Sequence, residues 1–528
     1  MHIITKIFCC LGLCYALIGC SGRESTQTRT YQDAQIYPPL SLQYGTFNLG
    51  LYGTSQETHR IAVLLPTSGP RASIGKSIRI GIEAAVLGFA PNGLQVNFYD
   101  TGDGDIVQII RRALASRPEI IIGPVFAENA KMLRDNKPEN IPALSFTSDT
   151  LAIGRGVFSM ALMPQNSIES ILQEMSANSV KRFVTIAPDN TSGQIMAGLA
   201  KTISDTYNMD NVGLFYYTER NTDSIKNAAM SASLYRARNE ACLAAKEILA
   251  ETITREALSV SEKNSLTTQL ENLNRTDTLG ELPYDAILFL GGGEDTKSVA
   301  SFLRYYGIGT DNTKFYGTPL WQDTKILSDI TMSGAMFAAL PDVSEEFSMI
   351  HEAATAQTPS RMTALGYDSA LFAISALYSN KQPLDYMLSP SGYTGTNGLF
   401  RLRPYGQNER AMQIVKINGT GKTSIVRNAK KSFVKPVYLT NDISLDTPPA
   451  KTIKFEPINP LDYLELPERL RGTTPSWSSS TGTDSGTLSP VTFVPNTENE
   501  VTITAENYQP LSHEPISRTY IESTEVTE

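Results

Sequence analysis

One segment limits the possible fold more than any other: residues 60–86, which read RIAVLLPTSGPRASIGKSIRIGIEAAV. Residues 61–65 are a continuous apolar run, typical of a strand buried on both faces of a parallel sheet. Turn residues at 66–70 end this run, and from Ile74 the apolar residues recur at the spacing of one helix stripe. The segment therefore predicts a strand, a polar turn and a helix. In open α/β sheets, ligands bind at such a turn.

The same alternation of strands and helices continues along the chain. It predicts βαβ units, and therefore an α/β fold in which parallel sheets are flanked by helices. The strands fall into two groups, which predicts two lobes. Further strands are expected at residues 94–100, 119–124, 141–147, 182–187, 211–217, 285–290 and 314–321, followed by a hairpin at 398–417.

Polar residues stand at the ends of several predicted strands. Because the carboxyl ends of parallel strands meet at one edge of a sheet, we expect these residues to line a cleft. Glycine residues at 291–293 lack the spacing of a dinucleotide-binding motif, and the GTGKT at 419–423 lacks the first glycine of a P-loop. The candidate cleft residues are Thr67, Ser68, Ser145, Thr147, Asn190 and Trp321.

Composition argues against several classes of function. The chain of 528 residues has a net charge of −9, which does not suit a nucleic acid partner. Its four histidines show no metal-ligand spacing, and no G-x-S-x-G motif is present. We therefore expect no catalytic residues, no metal and no cofactor.

The first twenty residues predict export. Lys6 precedes an apolar run at 7–18, which is too short to span a membrane and fits a signal peptide. The run ends in Leu-Ile-Gly-Cys, which resembles a bacterial lipobox and implies lipidation of Cys20. Because Ser21 is not an aspartate, the resemblance also implies anchoring in the outer membrane, facing the periplasm. The alternative is an ordinary secretory signal, and residues 21–58 have the composition of a tether.

Two further regions stand apart from the α/β pattern. Residues 224–276 are long, charged and helical, which predicts a helical pair or an extended arm inserted in the second lobe. Residues 428–528 are rich in Thr, Ser and Pro, and we expect a disordered tail there, with one short helix at 461–470.

The order of the segments resembles a known family. The two lobes are similar to the type 1 periplasmic binding fold of leucine-binding-type proteins. In detail they resemble penicillin-binding protein activator lipoproteins of Gram-negative bacteria. The segments that carry this resemblance are LQVNFYDTGDGD, IIIGPVFAEN, FVTIAPDNTSGQ, RTDTLGELPYDAILFLGGG, YYGIGTDNTKFYGTPLWQD and GTNGLFRLRPYGQNERAMQIVKI.

The resemblance implies a periplasmic-binding-like domain over residues 59–427. Lobe 1 is expected at about 59–165 and 342–385, and lobe 2 at about 166–341 and 386–427. The implied function is non-catalytic: an outer-membrane lipoprotein that binds and stimulates a bifunctional penicillin-binding protein in peptidoglycan synthesis. The best-known activators carry a helical-repeat domain before this fold, and residues 21–58 are too few for one.

A second function remains open. A solute-binding lipoprotein of an ABC transporter would use the cleft for an amino acid or a similar small molecule. Such a site needs an acidic residue to pair with the ligand amine, and Asp189 and Glu294 are the candidates. Fold resemblance alone does not separate this function from the first.

Overall fold

The computed structural model describes residues 36–37, 40–41, 58–89, 93–255, 258–434 and 447–471. The predicted signal peptide at 1–20, the lipidation site Cys20, most of the tether at 21–58 and the tail at 472–528 lie outside the described residues.

The strands and helices follow each other in an alternating order. The strands are β1 (Ile36–Tyr37), β2 (Leu40–Ser41), β3 (His59–Leu65), β4 (Leu94–Asp100), β5 (Ile120–Ile122), β6 (Ala143–Ser145), β7 (Val157–Ser159), β8 (Arg182–Pro188), β9 (Asp210–Tyr217), β10 (Ala286–Phe289), β11 (Lys314–Gly317), β12 (Met336–Ala339), β13 (Tyr393–Gly395), β14 (Gly398–Leu402), β15 (Asn408–Arg410), β16 (Gln413–Ile417), β17 (Thr423–Arg427) and β18 (Phe433–Val434). The helices are α1 (Ala72–Phe89), α2 (Ile106–Ala115), α3 (Ala127–Asn136), α4 (Pro164–Ala177), α5 (Thr191–Thr206), α6 (Thr222–Ala232), α7 (Tyr235–Ile253), α8 (Val260–Leu273), α9 (Gly293–Tyr305), α10 (Thr324–Leu327), α11 (Glu345–Thr355), α12 (Arg361–Leu377), α13 (Pro383–Met387) and α14 (Glu468–Arg471).

Lobe 1 is built on a five-stranded parallel sheet with the order β4-β3-β5-β6-β7. In β3, Ile61 and Val63 pack in the core that contains α1 and α12, whereas Ala62 and Leu64 pack in the core that contains α2 and α3. The alternation follows from the two-residue period of a strand, since successive side chains point to opposite faces. The predicted strand, turn and helix at 60–86 are therefore confirmed.

Helix α12 completes lobe 1 from a distant part of the chain by crossing α1 at close range. A Cβ atom at Gly81 would lie 1.9 Å from the carbonyl oxygen of Thr363, and one at Gly366 would lie 2.2 Å from that of Ile78. Both positions are therefore restricted to glycine by the backbone of the opposing helix. This contact fixes α12 against the sheet.

Lobe 2 contains a seven-stranded sheet with the order β17-β16-β12-β11-β10-β8-β9. The five strands from β12 to β9 are parallel, and the hairpin β16–β17 adds antiparallel to β12. Its core includes Phe289, Phe315 and Phe337 on the face covered by α6 and α9. The two sheets, each flanked by helices, agree with the predicted α/β class.

The boundary between the lobes differs from the prediction. Residues 386–427 were expected in lobe 2, but Tyr393 and Phe400 belong to the lobe 1 core. Their rings pack 4.4 and 5.4 Å from Phe372 of α12. Only β16 and β17 join the sheet of lobe 2. Aromatic packing against α12 thus moves the first part of this segment to lobe 1.

Part of the predicted tether also pairs with the body. Strand β1 pairs with β18, and β2 pairs with β13 at the edge of a four-stranded sheet with the order β15-β14-β13-β2. Each of these N-terminal strands has two residues, too few to show a period in the sequence. The prediction of a tether is therefore wrong for residues 36–37 and 40–41.

The helical insertion was predicted as one region, but it divides into two parts. Helix α6 packs into the lobe 2 core through Ala228, Ala229 and Ala232, as an ordinary crossover helix does. Helices α7 and α8 form the additional pair, which packs through Leu249 and Leu266. We call α7 and α8 the helical arm.

The predicted disorder is wrong for residues 447–471, which we call the strap. Its Lys451 pairs with Leu214 at the edge of β9, and its Ile453 is buried in the lobe 2 core. Farther along, Leu464 and Leu466 complete the core of the helical arm. A 3-10 turn at Pro460–Tyr463 and α14 stand where one short helix was expected. The strap thus contributes single apolar residues to cores that lobe 2 and the helical arm form.

Asp368 is a fully buried acid inside the apolar helix α12, and its carboxylate is hydrogen bonded. Its carboxylate accepts from the backbone N–H of Thr396 at 2.8 Å and from the Thr396 hydroxyl at 3.0 Å. Burial raises the pKa of Asp368 to about 6, although the Thr396 donors and the charge of Arg410 act in the opposite direction. The carboxyl thereby ties β13 to α12.

Replacing Ile453 tests whether the strap contributes to folding. Ile453→Ala removes a side chain that is 2% exposed, so the free energy of unfolding should fall by about 2–4 kcal/mol in urea titrations. The exposed neighbour gives the control, since Lys454→Ala should stay within about 0.5 kcal/mol of the unmodified chain. Equal stability of the two variants would show that the strap does not pack in solution.

Asp368 makes stability depend on pH. Its pKa is about 6 in the folded chain, against about 3.9 in an unfolded one, so the folded state holds the extra proton between these values. The free energy of unfolding should therefore decrease by roughly 2 kcal/mol as pH rises from 4 to 6. Asp368→Asn should lack this decrease in pH-dependent urea titrations, whereas the exposed Asp385→Asn should retain it. A retained decrease in Asp368→Asn would assign the titration to another group.

Candidate functional site

The carboxyl edge of the lobe 1 sheet is organised around Asp100, the last residue of β4. Its Oδ1 atom accepts from the backbone N–H groups of Thr67 at 2.8 Å, Ser68 at 3.3 Å and Gly102 at 2.8 Å. Burial acts to raise the pKa of Asp100, but the donors from Gly102, Ser68 and Thr67 outweigh it and hold the pKa well below its usual value. The predicted turn at Thr67 and Ser68 is therefore already bound to a carboxylate of the same chain.

Ser145 and Thr147 lie at the same edge, at the end of β6 and just beyond it. Ser145 is fully buried and its hydroxyl donates to the carbonyl oxygen of Pro124 at 2.8 Å. Thr147 is 6% exposed, and its hydroxyl accepts from the N–H of Asp149 at 3.1 Å. These strand ends lie at one edge of the sheet, as the sequence predicts. Both hydroxyls, however, hold loops of the chain itself.

Asn190 and Trp321 have different surroundings in lobe 2. Asn190 caps helix α5, since its side chain accepts from the N–H of Gly193 at 2.8 Å. Trp321 is 0% exposed and packs between Phe289 and Phe337, with ring centroids 5.5 and 6.1 Å away. The placement of Trp321 on a cleft wall was wrong, because the 3-10 turn at Pro319–Trp321 directs its ring into the core.

The two candidate acids for a ligand amine also have partners. Asp189 accepts from the side-chain amide of Gln194 at 2.9 Å. Glu294 forms ion pairs with Lys325 at 2.9 Å and Lys297 at 3.2 Å. Hydrogen bonds from Lys325 and Lys297 lower the pKa of Glu294, and both acids are exposed.

An open hollow of about 650 Å³ lies at the carboxyl edge of the lobe 2 sheet. It follows the ends of β9 and β10, and the Asp295 carboxylate accepts from the N–H of Arg220 at 3.1 Å. The polar residues that follow β9 are the sequence signal for this hollow, because the carboxyl ends of parallel strands meet at one edge of a sheet. Its lining residues are Glu219, Arg220, Gly292, Glu294 and Asp295.

Two other side-chain contacts lie at strand ends and were not anticipated. The guanidinium of Arg71, just before α1, lies 3.9 Å from the ring centroid of Phe126. Arg361, which begins α12 of lobe 1, donates to the side-chain oxygen of Gln322 in lobe 2. The second contact joins the two lobes at this edge.

The chemistry that these groups support is binding by hydrogen bonds and charge. In the described ranges, no three His, Cys, Asp or Glu side chains gather closely enough to hold a metal ion. A search of the same ranges for a helix with the length and hydropathy to cross a bilayer found none.

Comparisons with known proteins found one matching family model and several similar proteins. A family model described as "LppC putative lipoprotein" matches residues 34–218. The penicillin-binding protein activator LpoA of Pasteurella multocida is 26% identical over 215 residues, which is 38% of this chain and 37% of that protein. The LpoA of Histophilus somni is 27% identical over 150 residues, which is 28% of this chain and 25% of that protein. The chain thus spans well under half the length of these relatives.

A solved structure shows the fold. It belongs to a protein assigned to a branched-chain amino acid ABC transporter of Rhodospirillum rubrum, with a TM-score of 0.53 and 14% sequence identity. The match covers 70% of this chain and 100% of that one. The chain therefore has the two-lobe type 1 periplasmic-binding-protein fold that its sequence predicts.

Removing the Asp100 carboxylate tests its role at the lobe 1 edge. Asp100→Ala leaves three N–H groups without their acceptor, so we expect faster amide exchange at Thr67, Ser68 and Gly102. We also expect a loss of about 1–2 kcal/mol in the free energy of unfolding at pH 7. Because the folded pKa is depressed, this contribution is present above the unfolded pKa and declines as pH falls below about 3.9.

The measurement is amide exchange with urea titration at pH 7 and pH 3. The exposed Asp103→Ala serves as the control and should leave the three amides unchanged. Equal exchange in the two variants would mean that solvent, rather than Asp100, satisfies this turn.

Proposed function

We propose that this chain is a non-catalytic outer-membrane lipoprotein that binds and stimulates a bifunctional penicillin-binding protein in peptidoglycan synthesis. The observation that carries the proposal is the similarity to the two LpoA proteins, which are named as penicillin-binding protein activators. The match to a lipoprotein family over residues 34–218 supports the same class. Cys20 is the proposed site of the lipid anchor.

The polar groups at the lobe edges are hydrogen bonded within the chain, which favours a regulator over a solute receptor. A receptor for amino acids needs free donors for the ligand carboxylate. The three N–H groups at the lobe 1 edge are directed instead at Asp100. The hydroxyl of Ser145 donates to the Pro124 carbonyl, and Trp321 is in the core. Thr147 binds the N–H of Asp149 and Asn190 caps α5, so all six proposed cleft residues have a role within the fold itself.

The helical arm is the proposed docking surface for the synthase. Helix α7 presents one exposed stripe along its length, in which Leu243 is 55% exposed and stands between two exposed acids. The strap supports the arm from the other side. Glu465 and Gln269 exchange hydrogen bonds at 3.0 and 3.2 Å, and Arg469 contacts Glu262 at 2.5 and 2.7 Å. The stripe consists of Glu240, Leu243, Glu247, Ala250 and Glu251.

One observation keeps a second function in view. The hollow at the lobe 2 edge is open, and its lining holds three acidic residues, Glu219, Glu294 and Asp295, against one basic residue, Arg220. A small solute with a positively charged amine would suit this lining better than an anion. The alternative function is therefore a solute-binding lipoprotein of an ABC transporter, with the hollow as its site.

Reconstitution with a purified bifunctional penicillin-binding protein tests the main proposal. Adding the chain should increase the rate of glycan polymerisation or crosslinking several-fold. Leu243→Arg combined with Glu247→Lys should reduce the affinity of the pair at least 10-fold, because charge reversal on the stripe opposes docking. Leu87→Arg is the matched control, since Leu87 is 77% exposed on α1 of lobe 1.

The outcomes test the docking site on the helical arm separately from the activator function. Stimulation that both variants retain would exclude the helical arm as the docking site. No binding and no stimulation by the unmodified chain would reject the activator function. Tight binding of an amine-containing solute, abolished by Asp295→Asn, would then favour the solute-binding alternative.

A further inference from the structure

From β7 to β16, the described chain crosses between the lobes three times. The first crossover, residues 160–163, leads from β7 to α4, the second, 340–344, from β12 to α11, and the third, 411–412, from β15 to β16. When two lobes close on a ligand, the residues that connect them absorb the change in backbone angles. The contacts of the three crossovers therefore determine how freely one lobe can rotate against the other.

Asn408 of β15 binds the first crossover from inside the protein. It is 1% exposed, and its side-chain nitrogen donates to the carbonyl oxygens of Ser159 at 2.9 Å and Ala161 at 2.6 Å. Its side-chain oxygen accepts from the side chain of Asn166, in the first turn of α4, at 2.9 Å. One buried side chain of lobe 1 thus holds the end of β7, the crossover and the start of the first helix of lobe 2.

Arg410, two residues farther along β15, brings a charge to the same place. It is 5% exposed, and its Nη2 atom donates to the carbonyl oxygen of Met160 at 2.7 Å. Its guanidinium carbon lies 5.2 Å from the ring centroid of Phe400 in lobe 1. Burial raises the pKa of Asp368 in α12, and the charge of Arg410 opposes this effect, so the two charges interact. Separating a buried charge from its partners is strongly unfavourable.

The second crossover is held by side chains from both lobes. Gln413, which is 8% exposed at the start of β16, donates to the carbonyl oxygen of Leu340 at 3.4 Å. Asn397, in the turn between β13 and β14, donates to the carbonyl oxygen of Pro341 at 3.3 Å. The second crossover is therefore bonded to the strand that follows the third crossover and to lobe 1.

Arg361 adds a charged contact beside the second crossover. It begins α12 of lobe 1 and donates to the side-chain oxygen of Gln322 in lobe 2. Burial lowers the pKa of Arg361, and the carboxylate of Asp342 in the second crossover acts in the opposite direction. Side chains therefore join the two lobes in addition to the crossovers themselves.

Rotation of the lobes would break several of these bonds. The bond between Asn408 and Asn166 joins a strand of lobe 1 directly to a helix of lobe 2. Rotation at the first crossover would also move the carbonyls of Met160 and Ala161 away from their donors. Because Asn408, Asn166 and Arg410 are buried, a rotated arrangement would leave polar groups without partners and would be destabilised.

We propose that the two lobes of this chain form one rigid body, fixed at the crossovers by Asn408 and Arg410, and do not open and close around a ligand. Both are positioning residues, because they act on the backbone of the first crossover. A rigid pair of lobes presents the helical arm to a partner at a constant angle to lobe 1. The inference is independent of the proposed function, since its test uses no synthase.

Distances between spin labels on the two lobes test this rigidity. Nitroxide-bearing unnatural residues replace Ser73, exposed at the start of α1 in lobe 1, and Leu320, 52% exposed after β11 in lobe 2. Both positions follow the carboxyl ends of strands, where closure would change the distance. Pulsed electron paramagnetic resonance of the full chain should give one narrow distance distribution. Adding a mixture of the common amino acids should leave that distribution unchanged.

Two asparagine variants provide a matched pair. Asn408→Ala should widen the distribution about twofold, because the buried carbonyls of the first crossover lose their donor. Asn418→Ala, at an exposed position after β16, should leave it unchanged. Asn166→Ala removes only the bond from α4 and should give an intermediate width, which keeps the test valid if Asn408→Ala does not fold.

Two results would overturn the proposal. The first is a broad or two-peaked distribution in the chain that carries only the labels, or a shift of its distance on addition of amino acids. The second is an unchanged width in folded Asn408→Ala and Asn166→Ala variants, which would show that these bonds do not fix the lobes. Neither result depends on whether the chain stimulates a synthase.

Discussion

The glycine-mediated contact between α1 and α12 is the constraint on which the rest of the structure depends. Strand β3 is apolar on both sides, so lobe 1 needs a helical layer on each face of its sheet. One layer consists of α2 and α3, which are close to β3 in the chain. The other layer requires α12, which follows the parallel strands of lobe 2 in the chain. Gly81 and Gly366 allow the two helix backbones to touch, and no side chain fits between them. Lobe 1 is therefore complete only when the chain has passed through lobe 2 and returned.

The same path brings the two lobes into contact. Each lobe has parallel strands, and Arg361 at the start of α12 donates to the side-chain oxygen of Gln322 in lobe 2. At the lobe 1 edge, the donors of the first turn are directed at Asp100 rather than left open. The chain thus has the fold of a solute receptor, but the donors of one polar turn bind a carboxylate of the chain itself. That combination suits a protein whose surfaces, rather than its cleft, make the functional contact.

Hydrophobic periodicity was sufficient to predict the class of fold. Strands β3 and β8 follow the prediction closely because buried parallel strands leave apolar runs in the sequence, and β4 follows it because its apolar and polar residues alternate. The roles of the candidate site residues could not be derived in this way. The partner of the Thr67 amide is 33 residues away, and the rings packed against Trp321 come from two different strands, Phe289 from β10 and Phe337 from β12. Hydrogen-bond partners and ring directions depend on tertiary packing, which periodicity does not report.

The errors in the tether and the tail have a related cause. Strands β1 and β2 have two residues each, and the strap contributes single apolar residues such as Ile453 and Leu464. No local pattern marks them, because the surface that buries them comes from residues more than a hundred positions away. Polar composition predicts disorder correctly only where no such surface exists. The strap shows that this chain uses polar segments to cover its own exposed edges.

Site-specific photo-crosslinking in intact cells tests the central claim most directly. A photoreactive residue at position 243 on the helical arm, compared with one at position 87 on α1, samples two exposed helix surfaces. The account predicts that position 243 captures a bifunctional penicillin-binding protein and that position 87 does not. Capture of an ABC permease, or of no synthase at either position while the protein is folded, would contradict it.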